Sequence, residues 1–283
     1  MLKIDRYSND LIYQTLYQLK SILILATIVS YLLPYLKQGY QIKQIFDVTL
    51  NSWGTFSCML SNSKILWVLF GGYLLLISDI PFLSKRVSYE IVRSTQRQIM
   101  VSRIRYLMKI TLLYLLFIFL VTCIMNGSFD FSIVNWDKLH FSYAHNIVVD
   151  GIEMDVPVKI VQGYTPLEAF LTSSLLCYLV FVWFGMLTLL LSMHFPFPKT
   201  ILTLNCIWGG FDMAIDEMGL GYRWYAFSPL SFARLSILEE SRENFFYPTT
   251  QRIIVTLLIL IFIISISCIL TPAYRSFEKL SKQ

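Results

Sequence analysis

Long apolar runs, separated by short polar segments, dominate the pattern of this chain. The stretch 110–129 contains no charged residue, and a helix of this length, at about 1.5 Å per residue, crosses the roughly 30 Å of bilayer hydrocarbon. Five further runs are apolar over helical length, although the second is short and needs Lys64 to reach the membrane surface. The pattern predicts six transmembrane helices, at residues 21–37, 64–80, 108–126, 167–193, 199–217 and 252–271.

The segments between the predicted spans complete an all-α polytopic fold of one domain. Residues 1–20 combine an apolar face with tyrosine rings, a pattern typical of a helix that lies on a membrane surface. The stretch 38–63 is predicted to be polar and external. Residues 127–166 alternate apolar and polar positions around an Asp-Gly turn signal, so we expect a small external β or α/β insert. Aromatic residues around a Ser-Pro pair favour an outer re-entrant hairpin within 219–250.

Charge is distributed unevenly about the third predicted span. The segment 85–109 carries seven Lys and Arg against one acid, Glu90, whereas the segment 126–168 carries six acids against two lysines. Basic loops remain in the cytoplasm, so the loop 84–106 is placed inside and the insert outside. With six spans, both termini of this multi-pass protein are then cytoplasmic.

Composition and missing motifs exclude several classes of protein. Hydrophobic residues make up 56% of the chain and charged residues 14%, so its main solvent is lipid. The net charge of +5 comes from basic residues beside the spans, without an RNA- or DNA-binding motif, so membrane lipid and not nucleic acid is the expected partner. No phosphate-binding loop, nucleophile elbow, HExxH motif or Cys/His ligand spacing occurs. We therefore assign no catalytic or metal-binding residue and expect no enzyme.

The basic segment 87–105 has a pattern that suits a helix parallel to the membrane. Ile91 and Met100 are placed as apolar contacts, and Arg93 and Arg97 as cations that could pair with acids at the rim of a groove on a cytoplasmic partner. The alternative interpretation is a topological loop that rests on lipid headgroups. The two interpretations have equal weight on physical grounds.

Two acids on the fifth predicted span form the second candidate site. Asp212 and Asp216 are four residues apart, so they share one helix face. Ionisable groups at membrane depth are costly and often mark a path for ions or a cationic substrate. The alternative, which the glycines that follow favour, is that the helix has already reached the outer surface.

The histidines offer a third, weaker candidate. His140 and His145 lie in the external insert, where protonation near neutral pH could make them a sensor. The favoured interpretation is that both are solvated strand or loop residues.

The order of these features resembles the ABC-2 type transporter permeases over nearly the whole chain. The resemblance rests on the interfacial N-terminal helix, six spans, the loop after span two and the hairpin before span six. Matching positions in the loop and the hairpin are Glu90, Arg93-Ser94, Arg97, Ser102-Arg103 and Phe227-Ser228-Pro229-Leu230-Ser231. The chain departs from the family plan in its longer external insert and in the acids of its fifth span.

The resemblance implies a permease subunit of a bacterial exporter without a nucleotide site of its own. ATP and Mg²⁺ would bind to separate ATPase subunits, two of them, and a second permease chain would complete a homodimer or heterodimer. The ATPase-coupling residues would be Glu90, Ile91, Arg93, Ser94, Arg97 and Met100. The implied cargo is an antimicrobial, peptide or amphipathic compound.

Two other classes remain open from the sequence. A non-transporting immunity or sensor protein would use the external insert to bind a ligand and the basic loop to contact a signalling partner. A membrane-embedded enzyme acting on lipid is disfavoured, because the predicted spans bring no carboxylate, His and Cys groups together.

Overall fold

The computed structural model describes residues 8–9, 11–13, 15–46, 50–78, 96–126, 130–145, 156–195, 198–238 and 249–270. Most of these residues are helical, and none of them lies in a β-strand. The helices are α1 (Leu19–Phe46), α2 (Ser52–Ser61), α3 (Ser63–Ile77), α4 (Gln96–Asn126), α5 (Lys138–Ala144), α6 (Val158–Gly163), α7 (Pro166–His194), α8 (Pro198–Met218) and α9 (Thr250–Leu270), with the 3₁₀ helices η1 (Tyr222–Phe227) and η2 (Pro229–Ala233).

Polar side chains fix several helix starts. The Asn51 side chain accepts hydrogen bonds from two backbone N–H groups in the first turn of α2. Thr165 and Glu168 form a capping box at the start of α7, which satisfies two amide donors that a helix end otherwise leaves unpaired. Asn62 ends α2 and begins α3, where its side chain accepts from two N–H groups. Because the backbone of Asn62 is extended, the helix is interrupted there, and α2 and α3 meet at a bend of 86°.

The long helices run alternately up and down through one bundle. α1 begins where α3 ends, since Lys20 donates a hydrogen bond to the Ser78 hydroxyl. At the opposite end α2 meets α4 and α7, where the ring of Trp53 contacts those of Phe119 and Phe170. We call these two ends the basic side, which carries the start of α4, and the insert side, which carries α2, α5 and α6.

The core of the bundle surrounds α7, which packs against α2, α4, α9 and η2. Phe181 and Phe184 of α7 are fully buried and contact Phe70 and Tyr73 of α3. The Thr111 hydroxyl donates to the Tyr73 hydroxyl at 2.9 Å, which ties α4 to α3. Such bonds between helices are typical of bundles in lipid, where apolar contact alone gives little preference for a partner.

Three helices are long and apolar enough to cross a membrane: α7, α9 and the part of α4 from Arg97 to Ile124. The bent pair α2–α3 gives a fourth if it counts as one span, and α1 has a shorter apolar run, Leu19–Tyr35. These helices mark the chain as a membrane protein. Among the described residues α8 does not reach the same standard, so six spans remain a prediction.

The described part of the insert, residues 130–145 and 156–165, contains the short helices α5 and α6 and no β-strand, with one isolated bridge between Asp130 and Asn51. The expectation of strands is therefore wrong for these residues, and the Asp-Gly turn signal lies outside the described residues. An alternating segment there forms α6, in which the neighbours Ile160 and Val161 are both buried. Adjacent strand residues point to opposite faces, whereas a short helix can bury both. A run this short is compatible with both the strand period and the helix period, so alternation alone predicted the wrong element.

The stretch 38–63 also differs from the polar external segment that was predicted. α1 continues to Phe46, and every residue of α2 except Trp53 is buried. The polar residues of α2 are tolerated inside because their hydroxyls bond to the helix itself: Ser57 donates to the carbonyl of Trp53, and Ser61 to that of Ser57. A hydroxyl that is satisfied within its own helix costs little to bury.

Candidate functional site

One guanidinium joins the two acids of α8 at the insert side of the bundle. Arg234 Nη1 lies 2.9 Å from Asp216 Oδ2 and 3.3 Å from Asp212 Oδ2. Asp212 is 0% exposed and Arg234 8% exposed, while Asp216 is an exposed residue whose side chain is 27% exposed. A buried carboxylate without a partner would cost several kcal/mol, so this pairing is what permits Asp212 to be charged inside the protein.

The segment after α8 folds back to bring Arg234 to this position. Trp208 Nε1 donates to the carbonyl of Phe227 at 3.1 Å, although Trp208 lies ten residues before the end of α8, about 15 Å along the helix axis. The chain therefore descends beside α8 through η1 and returns through η2. The Ser231 hydroxyl, 2.7 Å from the carbonyl of Tyr225, braces the turn.

Arg234 also closes the end of a neighbouring helix. Its Nε donates to the carbonyl of Ser61 at 2.8 Å, in the last residue of α2. The final carbonyls of a helix lack partners within the helix and carry its partial negative charge. A cation at this point satisfies both needs, so the same side chain holds α2, α8 and the hairpin together.

Tyr225 extends the cluster towards the surface. Its hydroxyl donates to Asp216 Oδ1, and the Arg234 guanidinium carbon lies 5.9 Å from the centre of its ring. Burial raises the pKa of Tyr225 to about 12, and the hydrogen bond to Asp216 acts in the same direction. For Arg234, burial works against the charged form, but Asp212 and Asp216 outweigh it and raise the pKa. Both groups therefore keep their protons throughout the physiological range.

A polar cavity of about 370 Å³ opens beside the cluster. It lies where the bend between α2 and α3 faces the end of α8. Its lining consists of polar residues from α3, α8 and the chain segments beside them: Asn62, Ser63, Lys64, Asp216, Glu217 and Arg234. Lys64 Nζ and Glu217 Oε1 pair across it at 2.7 Å, with side chains that are 60% and 51% exposed. The cavity thus has one rigid, buried wall and one exposed ion pair.

The structure brings Asp212 and Asp216 together as their spacing predicts, and it adds partners that the sequence did not suggest. Asp212 is buried and paired, whereas Asp216 and Glu217 are exposed near the end of the helix. Arg234 was missed. Its only signal is that it is the single charged residue between Ala226 and Leu238, an isolated cation that needs an acid from elsewhere in the fold.

Most of the predicted ATPase-coupling residues, Glu90, Ile91, Arg93 and Ser94, lie outside the described residues. Arg97 is exposed in the first turn of α4, where a partner could reach it. Met100 is only 3% exposed, so its side chain packs inside the chain and does not project as an apolar contact for a partner.

The insert contains a buried pair that the sequence interpretation also missed. His140 is fully buried and its Nδ1 lies 2.6 Å from Asp137 Oδ2, so the expectation of a solvated residue is wrong for His140, while His145 is exposed. Asp137 caps α5 and also accepts the backbone N–H of Asn51. Burial alone would raise the pKa of Asp137, but the charge and hydrogen bonds of His140 lower it below its ordinary value.

No protein-family model matches the chain, and no curated protein or solved structure matches it either. The likeness to ABC-2 permeases therefore rests on the order of sequence features. Within the part of the chain that the structure describes, no three His, Cys, Asp or Glu side chains are grouped to hold a metal ion.

Proposed function

We propose that this chain is the membrane-spanning permease subunit of a bacterial ATP-driven exporter, located in the plasma membrane and paired with a second permease chain. The observation that carries the proposal is the buried cluster of Arg234, Asp212 and Asp216 beside a polar cavity at a bent helix pair. Charged groups inside a helical membrane protein are costly and concentrate along substrate paths. Bent or broken helices beside such groups are common where cargo is handled.

The length and contacts of α4 suit the transmission of motion through the bundle. It has 31 residues, or about 46 Å of continuous helix. It begins in the basic segment and packs against α7, which in turn contacts η2. A rigid helix of this kind could carry a displacement from a cytoplasmic ATPase to the hairpin that holds Arg234. Such coupling requires that the ATPase bind two conformations of the chain unequally.

The N-terminal segment is fastened to the same helix. Residues 8–9, 11–13 and 15–16 are helical. Lys109 Nζ donates to Asn9 Oδ1 at 2.9 Å, and the hydroxyls of Thr15 and Tyr106 lie 2.7 Å apart. These contacts support an arrangement in which the interfacial segment moves together with the basic end of α4.

Affinity purification tests the class of protein directly. The tagged chain is extracted from its native membrane in mild detergent, and the proteins that remain bound are identified by mass spectrometry. Recovery of an ATPase subunit with a phosphate-binding loop, at a stoichiometry near that of the chain, is the expected result. ATP hydrolysis by the recovered complex, stimulated after reconstitution into liposomes, would complete the assignment.

Recovery of the chain alone, or with a kinase-like partner, would overturn the proposal. The immunity or sensor class would then be favoured, with the external insert as the ligand-binding element. A catalytically dead ATPase variant, which traps the complex, separates weak binding from absence of the subunit.

A further inference from the structure

We propose that the cavity at the bend between α2 and α3 binds a zwitterionic group, one that carries an ammonium and an anion a few ångströms apart. Phosphoethanolamine headgroups and free amino acids share this chemistry. The inference goes beyond the proposed function, because binding of such a group requires neither an ATPase nor transport.

The charge balance of the lining favours a ligand without net charge. Lys64 and Arg234 oppose Asp216 and Glu217 across the cavity, and Ser63 contributes a hydroxyl. Arg234 is already held by Asp212, Asp216 and the carbonyl of α2, so it is a fixed part of the wall. Recognition therefore falls to the other pair of charges.

The pair between Lys64 and Glu217 can open at small cost. Both side chains are more than half exposed, and ion pairs in such positions contribute little to stability. By contrast, Arg234 and Asp212 are buried, and separating them would leave charges inside the protein without a partner. The site thus combines a preformed wall with an ion pair that can separate, so binding of a ligand requires little reorganisation of the protein.

Opening this pair selects a zwitterion over a simple ion. When a zwitterion enters, its ammonium pairs with Glu217 and its anion with Lys64, so every charge keeps a partner. An anion would leave Glu217 unpaired, and a cation would leave Lys64 unpaired. An unpaired charge in a partly enclosed cavity reduces affinity, which is how such a site would discriminate.

The depth of the cavity favours a lipid as the source of the group. Lys64 begins α3, and Trp67 lies one turn further along, with its Nε1 donating to the carbonyl of Cys206 on α8. Tryptophan rings near helix ends are typical of the headgroup region. A headgroup at this level could enter the cavity while its acyl chains remain beside the apolar helices.

Native mass spectrometry of the full chain in detergent tests the proposal. The chain is titrated with phosphatidylethanolamine and phosphatidylglycerol of identical acyl chains. We expect retention of phosphatidylethanolamine to exceed that of phosphatidylglycerol by about threefold to fivefold, the scale of one exposed ion pair. Glu217→Gln should remove the preference, because it takes away the partner of the ammonium. Lys64→Met should lower the retention of both lipids and keep the preference, and the control Lys138→Met, a lysine exposed on α5, should change neither.

A second arm identifies the source and guards against misfolding. Calorimetry with glycerophosphoethanolamine, which lacks acyl chains, reports binding if the ligand is a soluble zwitterion. The double variant Lys64→Glu with Glu217→Lys keeps both charges and should retain the preference. Equal retention of the two lipids together with no heat from the soluble probe overturns the proposal. A preference that persists in Glu217→Gln overturns it as well.

Discussion

Arg234 and Ser61 lie 173 positions apart in the chain, yet the Arg234 Nε donates to the Ser61 carbonyl at 2.8 Å. One side chain therefore holds together the end of the short buried helix α2, the end of α8 and the hairpin that folds back beside it. The stability of the insert side therefore depends on the charge and on the planar shape of the guanidinium, which can direct donors to several acceptors at once.

Replacing Arg234 with methionine should strongly destabilise the protein. The variant leaves Asp212 buried without its partner, so we expect the free energy of unfolding to fall by about 3–5 kcal/mol. SDS-induced unfolding in mixed micelles measures the change. Combining Arg234→Met with Asp212→Asn should cost less than the sum of the two single changes, because the second removes the unpaired charge that the first creates. Simple additivity would contradict the pairing.

Gly209 is a packing position that a methyl group would disrupt. A Cβ built there would lie 2.3 Å from Cε1 of Phe70, a fully buried ring. Gly209→Ala should therefore lower the free energy of unfolding by about 1–3 kcal/mol, the usual cost of overpacking. Gly71→Ala on α3 is the matched control, because a methyl group added at Gly71 would meet nothing within 4 Å. Equal stability of both variants would show that α3 and α8 are not in such close contact.

Acid should weaken the insert through Asp137. Its folded-state pKa is lowered below the ordinary value of about 3.9, so below that value the unfolded state binds more protons than the folded state. The stabilisation is therefore complete above the ordinary pKa and is lost as the pH falls through the folded-state pKa. Asp137→Asn should flatten this part of the stability curve, followed by melting temperature between about pH 5 and 3. A slope that is unchanged in Asp137→Asn would contradict this assignment.

The proposed coupling segment can be tested by reversal of two charges. Arg93→Glu combined with Arg97→Glu should lower the cargo-stimulated ATPase activity of the reconstituted complex to the basal level, because the acids of the partner would meet like charges. Membrane insertion of the variant should remain normal. A matched control reverses Lys138 and Lys159, which are both exposed in the insert. Stimulated activity that survives in the Arg variant would leave the segment with a topological role only.

The apolar runs predict the existence of the long helices well, because burial in lipid or in a helical core demands the same composition over the same length. The spacing of four residues also places Asp212 and Asp216 on one helix face, because that relation follows from helix geometry alone. Arg234 could not be found this way, since its acceptors lie 22 and 173 positions away. Contacts over such distances depend on how the chain folds back, which hydrophobic pattern alone does not determine.

The errors at His140 and in α2 have one physical origin. In a sequence, a polar residue suggests a position that faces solvent. Ser57, Ser61 and His140 are nevertheless buried, each with a hydrogen-bond partner for at least one side-chain atom. Burial of polar side chains is inexpensive once such partners exist. Those partners lie within the same helix for the serines and in the cap of α5 for His140.

The joint at Asn62 makes the insert side sensitive to chain length. One residue ends α2 and begins α3, and a single residue inserted in the last turn of α2 would rotate the residues after it by about 100° around the helix axis. The Ser61 carbonyl would then turn away from Arg234, and the cavity wall would lose the hydrogen bond that fixes Arg234 in place. Substitutions at neighbouring surface positions should be tolerated in evolution, whereas insertions and deletions between residues 57 and 66 should be absent from functional variants of this chain.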